Sequence, residues 1–419
     1  MSSKLSNLLT YAFENVTYYK ELFEKNNIDP KDINTRDDLE KLPLLTKSIV
    51  QSRHDDFISG EYQKYPKNEN IVIMRTSGST GKNLKVVWDQ KDNIKSVVPL
   101  WVIRNKMYKI NPAMKWCNFF SVMYSGNKIA NMVDKEYQKN GTVLSFSKIN
   151  LTYEKLIAVY NDMLEFQPAW LMLQPSVAYL LSEAVKNEKL PKIESLKYIE
   201  LSGEYLFDNY RKSVEDAFDV PVVNLYGCNE SNEIAIEYPD RKMHIISDNV
   251  IVEVIKNGKS VIGEEGDIYI TSLNNYAMPF VRYETGDKGI LTQNDKGDFI
   301  LELKSGRSSD YIMLENNKKL NSYVVQNIME YTNENMHSAI KQFQIVQNDY
   351  DKFTAYMVID DRFSGWKKAV EEEFIENIAD DDLKNTKWDF IWRDKIEPDP
   401  RTGKFKFFIN SMKVSGNEK

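Results

Sequence analysis

Hydrophobic and polar positions follow two different periods along this chain, and the places where the period changes divide it. Between residues 4 and 26, Leu8, Leu9, Ala12, Phe13, Val16, Tyr19, Leu22 and Phe23 recur at three- and four-residue intervals, which predicts an amphipathic helix broken at Asn27. Residues 28–50 carry Asp and Thr where they can cap two short helices, with Pro43 between them. Apolar runs at 71–74, 116–123, 143–146, 169–173, 198–201 and 222–225 then alternate with helical periods at 152–166, 177–186 and from the turn at 202–204 to residue 218. Strands alternating with helices predict an α/β sheet whose functional loops follow the strands. From 244 to 283 the pattern becomes short alternating stretches punctuated by Asn257-Gly258, Glu265-Gly266 and Asn274-Asn275, the signature of hairpins. Beyond residue 310 a short strand, a helix, further strands and a charged helix at 365–378 lead into a Lys/Arg-rich tail. The polar turn at 305–310 is the expected boundary. It separates a large N-terminal domain (1–307), with mixed sheets, helices and a β-rich subdomain, from a small α+β C-terminal domain (308–419).

Composition narrows the class. A chain of 419 residues is long enough for two domains, and 42% hydrophobic with 28% charged residues is the balance of an ordinary globular protein. A formal charge of −7 with no long basic run argues against a nucleic-acid partner. No apolar run approaches the roughly 20 residues a membrane helix needs. The opening stretch MSSKLSNLLTYAFENV lacks the apolar core and cleavage site of a signal peptide, so a cytoplasmic protein is expected, as monomer or homodimer. The two cysteines, Cys117 and Cys228, and the three histidines, His54, His244 and His337, are widely separated. Neither a zinc site nor a Cys/His catalytic pair is expected, and each cysteine reads as a small buried apolar residue. Chemistry has to run on Lys, Glu, Asp, Arg and backbone dipoles.

The candidate chemistry begins after the run at 71–74. Thr76-Ser77-Gly78-Ser79-Thr80-Gly81-Lys82 is built from small residues that let backbone N–H groups and hydroxyls converge on an anion, with a point charge added at Lys82. A Walker loop is excluded, because only Ser79 and Thr80 separate Gly78 from Gly81-Lys82, and Asn83 follows where Ser or Thr is required. On composition alone such a loop is either a plain turn or a phosphate cradle.

Taken with later sites in order, this loop resembles the signature of the adenylate-forming superfamily, which joins a carboxylic acid to AMP and passes the acyl group on. Leu201-Ser202-Gly203-Glu204-Tyr205 is similar to that family's adenine-contacting turn, where Gly203 admits a purine face and Tyr205 stacks on it. Asn224-Leu225-Tyr226-Gly227-Cys228-Asn229-Glu230 resembles its Tyr-Gly-x-x-Glu, which makes Glu230 the Mg2+ ligand. Arg282-Tyr283-Glu284-Thr285-Gly286-Asp287 is close to the Arg-Tyr-x-Thr-Gly-Asp of phenylacetate-CoA ligases, with Asp287 accepting from both ribose hydroxyls. In Ser305-Gly306-Arg307-Ser308-Ser309-Asp310, Arg307 matches an arginine that contacts ribose or phosphate, while Ser309 stands where relatives carry the hinge Asp. Pro400-Arg401-Thr402-Gly403-Lys404 resembles the family's C-terminal Gly-Lys, although Phe407 departs from the arginine common downstream. The N-terminal helices and residues 243–254 are also similar to phenylacetate-CoA ligases.

The resemblance implies a two-step ligase using ATP, Mg2+ and coenzyme A, in which Lys404, Thr80 and Glu230 carry the adenylation step and the small domain turns as a mobile lid. The acid pocket would be lined from 119–124, 174–176 and 226–232, and Asn229, Asn232 and Glu233 make its last wall more polar than an apolar ring wants, so an amino or hydroxy acid fits as well as an aryl acid. A carrier-protein phosphopantetheine or an amine is the alternative acceptor. An inactive nucleotide-binding protein is the alternative of another class, motivated by Asn83 and Ser309. Lys404→Ala is expected to abolish acyl-AMP formation while retaining thioester formation from supplied acyl-AMP; equal loss in both half-reactions would remove the role given to Lys404.

Overall fold

The computed structural model describes residues 2–63, 70–75, 84–120, 135–137, 141–147, 153–204, 206, 208–305, 311–315, 319–337, 339–378, 383–394, 396 and 407–412. The stretch predicted as one N-terminal helix is two, Ser2–Asn15 and Thr17–Asn26. Val16 separates them in an extended conformation (φ −124°, ψ 116°) and is itself buried, so the chain bends to keep both apolar stripes on one core. Asn27 ends the second helix with φ 52°, the left-handed conformation that asparagine tolerates. Leu5, Leu9, Ala12, Tyr19 and Phe23 from these helices share a core with Val250, Ile268, Ile270 and Phe280.

Thirteen strands among the described residues form one sheet with two characters. Val143–Ser147, Trp116–Phe120, Trp170–Leu173, Tyr198–Ser202 and Val222–Cys228 lie side by side in parallel, with Lys135–Tyr137 antiparallel at the edge. These are the apolar runs of the sequence, apolar on both sides because both faces are covered. Cys117, Leu171, Ile199 and Val222 pack with the helices Tyr153–Phe166, Pro175–Glu188 and Asp208–Phe218. Trp116, Trp170, Tyr198 and Val223, alternating with them, face the opposite way toward Leu100 and Trp101 of the helix Val98–Tyr108. Past Val222–Cys228 every pairing is antiparallel, through Asn232–Glu237, Met243–Ile245, Phe299–Ser305, Tyr283–Gln293, Glu265–Ser272 and Val250–Lys256. The expected α/β sheet and β-rich subdomain are therefore one continuous sheet that changes character at a single strand.

The last described part of the chain has its own core. Ile345, Phe353, Ala355, Val370, Phe374 and Phe408 belong to a hydrophobic cluster drawn from residues 312–408. It is built on a four-stranded sheet ordered Lys387–Trp392, Lys352–Ile359, Ile340–Asp349, Phe408–Asn410, with helices Tyr323–Asn335 and Lys367–Glu376. This is a separate α+β domain. Among the described residues no helix is long and apolar enough to cross a membrane.

The N-terminal segment is stitched to the antiparallel half at Arg282. The Leu45 amide donates to the Arg282 carbonyl at 2.8 Å and the Glu284 amide to the Leu45 carbonyl at 2.9 Å. Arg282 is 3% exposed; its guanidinium donates to both oxygens of the buried Glu253, at 3.0 and 2.8 Å, and to the Leu42 carbonyl. Two buried charges and a carbonyl are satisfied together, so removing one partner strands the other. Arg282→Met is expected to lower unfolding stability by roughly 3–5 kcal/mol. Arg282→Met with Glu253→Met should recover most of that loss in the same urea titration, and a double variant no more stable than the single would show that the pair is not what matters.

Candidate active site

The Ser/Thr/Gly loop is framed by a hairpin. Ile71–Arg75 pairs antiparallel with Lys85–Asp89, Arg75 opposite Lys85, so residues 76–84 join two paired strand ends. Trp88 on the second strand is fully buried, and its indole N–H donates to the Asn229 carbonyl at 2.8 Å. That bond ties the base of the loop to the turn carrying Glu230.

Glu230 follows the strand Val222–Cys228, which runs three residues beyond its predicted end at 225. Gly227 is required inside it, because a Cβ there would lie 2.8 Å from the Asn232 carbonyl oxygen. This strand is also where the sheet changes from parallel to antiparallel, the kind of switch at which α/β sheets open a crevice.

Asp287 lies on Tyr283–Gln293, four places along the sheet from Val222–Cys228. In a flat sheet four spacings separate strands by about 19 Å. Yet the Tyr226 hydroxyl is 2.9 Å from Asp287 Oδ2 and 3.2 Å from Thr285 Oγ1, and the Tyr283 hydroxyl donates to Glu230 Oε1 at 2.8 Å. The antiparallel half must curl back on itself to bring these atoms together. Tyr283, Thr285 and Asp287 alternate along one strand and so present one face. Asp287 and Glu230 are both buried, and ionised carboxylates only accept, so the two tyrosine hydroxyls are their natural partners. Burial, then the charge of Asp287, pushes the Tyr226 phenol well above its ordinary pKa and keeps it a donor. Burial followed by the charge of Glu230 likewise raises the Cys228 thiol, which is no thiolate nucleophile.

Gly203 stands between Tyr198–Ser202 and the helix Asp208–Phe218 with φ 89°, a conformation glycine adopts without strain. Ser202 is opposite Leu225, which sets Gly203 and Glu204 beside Tyr226. Described residues of three sequence sites, around Gly203, Glu230 and Asp287, thus meet at one end of one strand. Thr76, Ser77, Gly78, Ser79, Thr80, Gly81, Lys82, Tyr205, Arg307, Ser309 and Lys404 lie outside the described residues. Among the described residues no three His, Cys, Asp or Glu side chains group as a metal site. Reading the sequence missed the connectors Trp88, Tyr283 and Thr285, although the last two lie in a quoted motif at the two-residue spacing from Asp287 that puts them on its face. It also missed the helix Val98–Tyr108, signalled by Pro99 at its start.

A sequence model of the CapK C-terminal domain matches residues 312–411. Protein CapK of Staphylococcus aureus is 24% identical over 434 aligned positions, covering 98% of this chain and 89% of that one. The phenylacetate-coenzyme A ligase of Thermus thermophilus is 27% identical over 307 positions, covering 69% of this chain and 64% of the ligase. A crystal structure of 2-hydroxyisobutyryl-CoA ligase, in complex with 2-HIB-AMP and CoA in the thioesterification state, superposes with a TM-score of 0.61 at 18% identity over 97% of this chain and 88% of that chain. The fold is that of the adenylate-forming enzymes. In sequence the chain is similar to phenylacetate-coenzyme A ligases, at 23–27% identity.

Tyr226→Phe retains the ring and removes the donor shared by Asp287 and Thr285. A hydrogen bond to a charged group is worth roughly 1.5–3 kcal/mol, so this variant should lose stability in that range by urea unfolding. An unchanged midpoint would mean that the hydroxyl does not hold the curled sheet edges together.

Proposed function

We propose that this protein activates a small carboxylic acid as its acyl-AMP and transfers the acyl group to a thiol, that of coenzyme A. The reaction class is that of an AMP-forming acid–CoA ligase. The observation that carries the reading is the meeting of Tyr226 with Asp287 and of Tyr283 with Glu230, which draws two motifs separated by more than fifty residues into one cleft. The names of relatives support the same class: curated relatives at 23–27% identity are phenylacetate-coenzyme A ligases, and the crystal structure of similar fold holds an acyl-AMP together with CoA.

In this reading a substrate carboxylate oxygen attacks the α-phosphorus of ATP and pyrophosphate leaves. The thiol sulfur then attacks the acyl carbon and AMP leaves. Asp287 receives the ribose hydroxyls, Gly203, Glu204 and Tyr205 flank the adenine, and Thr76 to Lys82 cradle the phosphates with Arg307 nearby. Glu230, with one oxygen held by Tyr283, offers the hard oxygen donor that Mg2+ takes, and the ion would supply countercharge to the phosphates. Lys404 reaches this cleft from residues 308–419, which rotate as a lid over the 1–307 core and exchange the adenylating face for one that admits the thiol. A donor of fixed charge there stabilises negative charge growing between carboxylate and phosphate.

The test is exchange of labelled pyrophosphate into ATP across a panel of carboxylic acids. Acid-dependent exchange is expected. Bound ATP without exchange for any acid would make this a nucleotide-binding protein instead. Where exchange is found, coenzyme A, a phosphopantetheine-loaded carrier protein and a free amine compared as acceptors identify the second step, and CoA is expected to give the product.

A further inference from the structure

Glu230 is held at its backbone and at one side-chain oxygen. Its backbone belongs to the turn that follows Val222–Cys228, where the Trp88 indole N–H donates to the Asn229 carbonyl at 2.8 Å and the Ser231 amide to the Cys228 carbonyl at 3.3 Å. Its side chain is 5% exposed, and Oε1 accepts from the Tyr283 hydroxyl at 2.8 Å. That bond is made to Oε1 and leaves Oε2 as the other oxygen of the carboxyl.

Tyr283 can impose a direction on Glu230 because it is itself tightly placed. It is 2% exposed, stands opposite Ile270 in the antiparallel ladder and is bridged in parallel to Leu45. Its ring meets that of Phe280 edge-on, with centroids 5.0 Å apart. Arg282, the residue before it, is anchored by both oxygens of Glu253. The hydroxyl therefore stands at a fixed point, and the carboxyl has to turn one oxygen toward it.

This bears on which ion such a carboxylate suits. Mg2+ demands near-octahedral geometry and takes single oxygens from one or two carboxylates, with phosphate and water completing its shell. Ca2+ takes about six to eight oxygens in a looser shell and readily accepts both oxygens of one carboxylate. A carboxylate whose Oε1 is engaged by a hydroxyl matches the first demand and hinders the second.

We propose that Tyr283 is a positioning residue that makes Glu230 a one-oxygen ligand and thereby sets a preference of the ATP site for Mg2+ over Ca2+; this rests on the reading of Glu230 as the metal ligand given above. Tyr226 supplies the contrast, since its hydroxyl is given to Asp287 and Thr285 and not to Glu230. Loss of the Tyr226 hydroxyl loosens the ribose side of the site and leaves the metal ligand held.

The experiment is ATP binding to the full chain by calorimetry, with excess Mg2+, with excess Ca2+ and with EDTA. Wild-type protein is expected to bind ATP about tenfold or more tighter with Mg2+ than with Ca2+. Groups that orient a metal-ligating carboxylate are worth roughly 10–100-fold in metal affinity, so Tyr283→Phe should weaken Mg2+-dependent binding by that factor and remove most of the preference. Tyr226→Phe should weaken binding alike with either ion and keep the preference, and thermal midpoints show whether both variants are folded. Equal affinity with the two ions in wild-type protein would overturn the proposal whether or not the variant folds. A folded Tyr283→Phe protein with wild-type Mg2+ affinity and preference would overturn it as well. A Glu230→Gln protein that binds ATP with Mg2+ as tightly as wild type removes the reading of Glu230 as the ligand and the proposal with it, and ATP binding in no condition removes the nucleotide site itself.

Discussion

Two hydroxyl–carboxylate bonds close the antiparallel half of the sheet onto its parallel half. Tyr226 to Asp287 and Tyr283 to Glu230 each join strands that sheet order keeps four places apart, so neither bond exists unless the intervening strands curl. Each tyrosine brings a large apolar ring and a single polar tip, which is what a buried junction between strand ends can accommodate. The carboxylates in turn are held in place before any ligand arrives, and a site that is already arranged loses less entropy on binding. Trp88 extends the same junction to the hairpin that frames the Ser/Thr/Gly loop.

The junction needs rigid surroundings, and the two halves supply them differently. On the parallel side, helices on both faces leave the strands no freedom to shift register, since a one-residue slip would turn every apolar side chain into the wrong core. On the antiparallel side the restraint comes from outside the sheet. Arg282 stands immediately before Tyr283 and is held by Glu253, by the Leu42 carbonyl and by the backbone bonds of Leu45. The N-terminal segment, with Leu45 bridged opposite Tyr283, therefore acts on the position of Tyr283 and through it on Glu230.

How much of this was legible in the sequence follows from how local each signal is. The parallel strands were, because residues such as 169–173 and 198–201 are apolar on both faces and short. The helix Val98–Tyr108 was not, because Val98 and Val102 are exposed while Leu100 and Arg104 are buried, so apolar and polar positions do not sort by face. The break at Val16 was hidden for the opposite reason: a buried valine fits the helical period whether or not its backbone is helical. Among site residues, Glu230, Asp287, Gly203, Tyr226 and Gly227 could be named from motif order alone. Their mutual contacts could not, since curl is a property of the whole sheet and leaves no mark at any one position.

The carboxylates of this protein differ most in how completely they are satisfied. Glu253 and Glu200, each facing an arginine across two or more hydrogen bonds, lie where the fold needs fixed points and are closed to any further partner. Glu230 and Asp287 each accept from one tyrosine, which orients the group without exhausting its four or so lone-pair directions. Glu233 Oε2 has no hydrogen-bond partner among the described residues. A buried polar atom left unpaired is unfavourable by about 1–3 kcal/mol, more when charged, and folding alone gives no reason to tolerate it. The progression from closed to open runs toward the carboxyl end of the strand Val222–Cys228, where the fold has spent its own donors and a ligand would have to bring the rest.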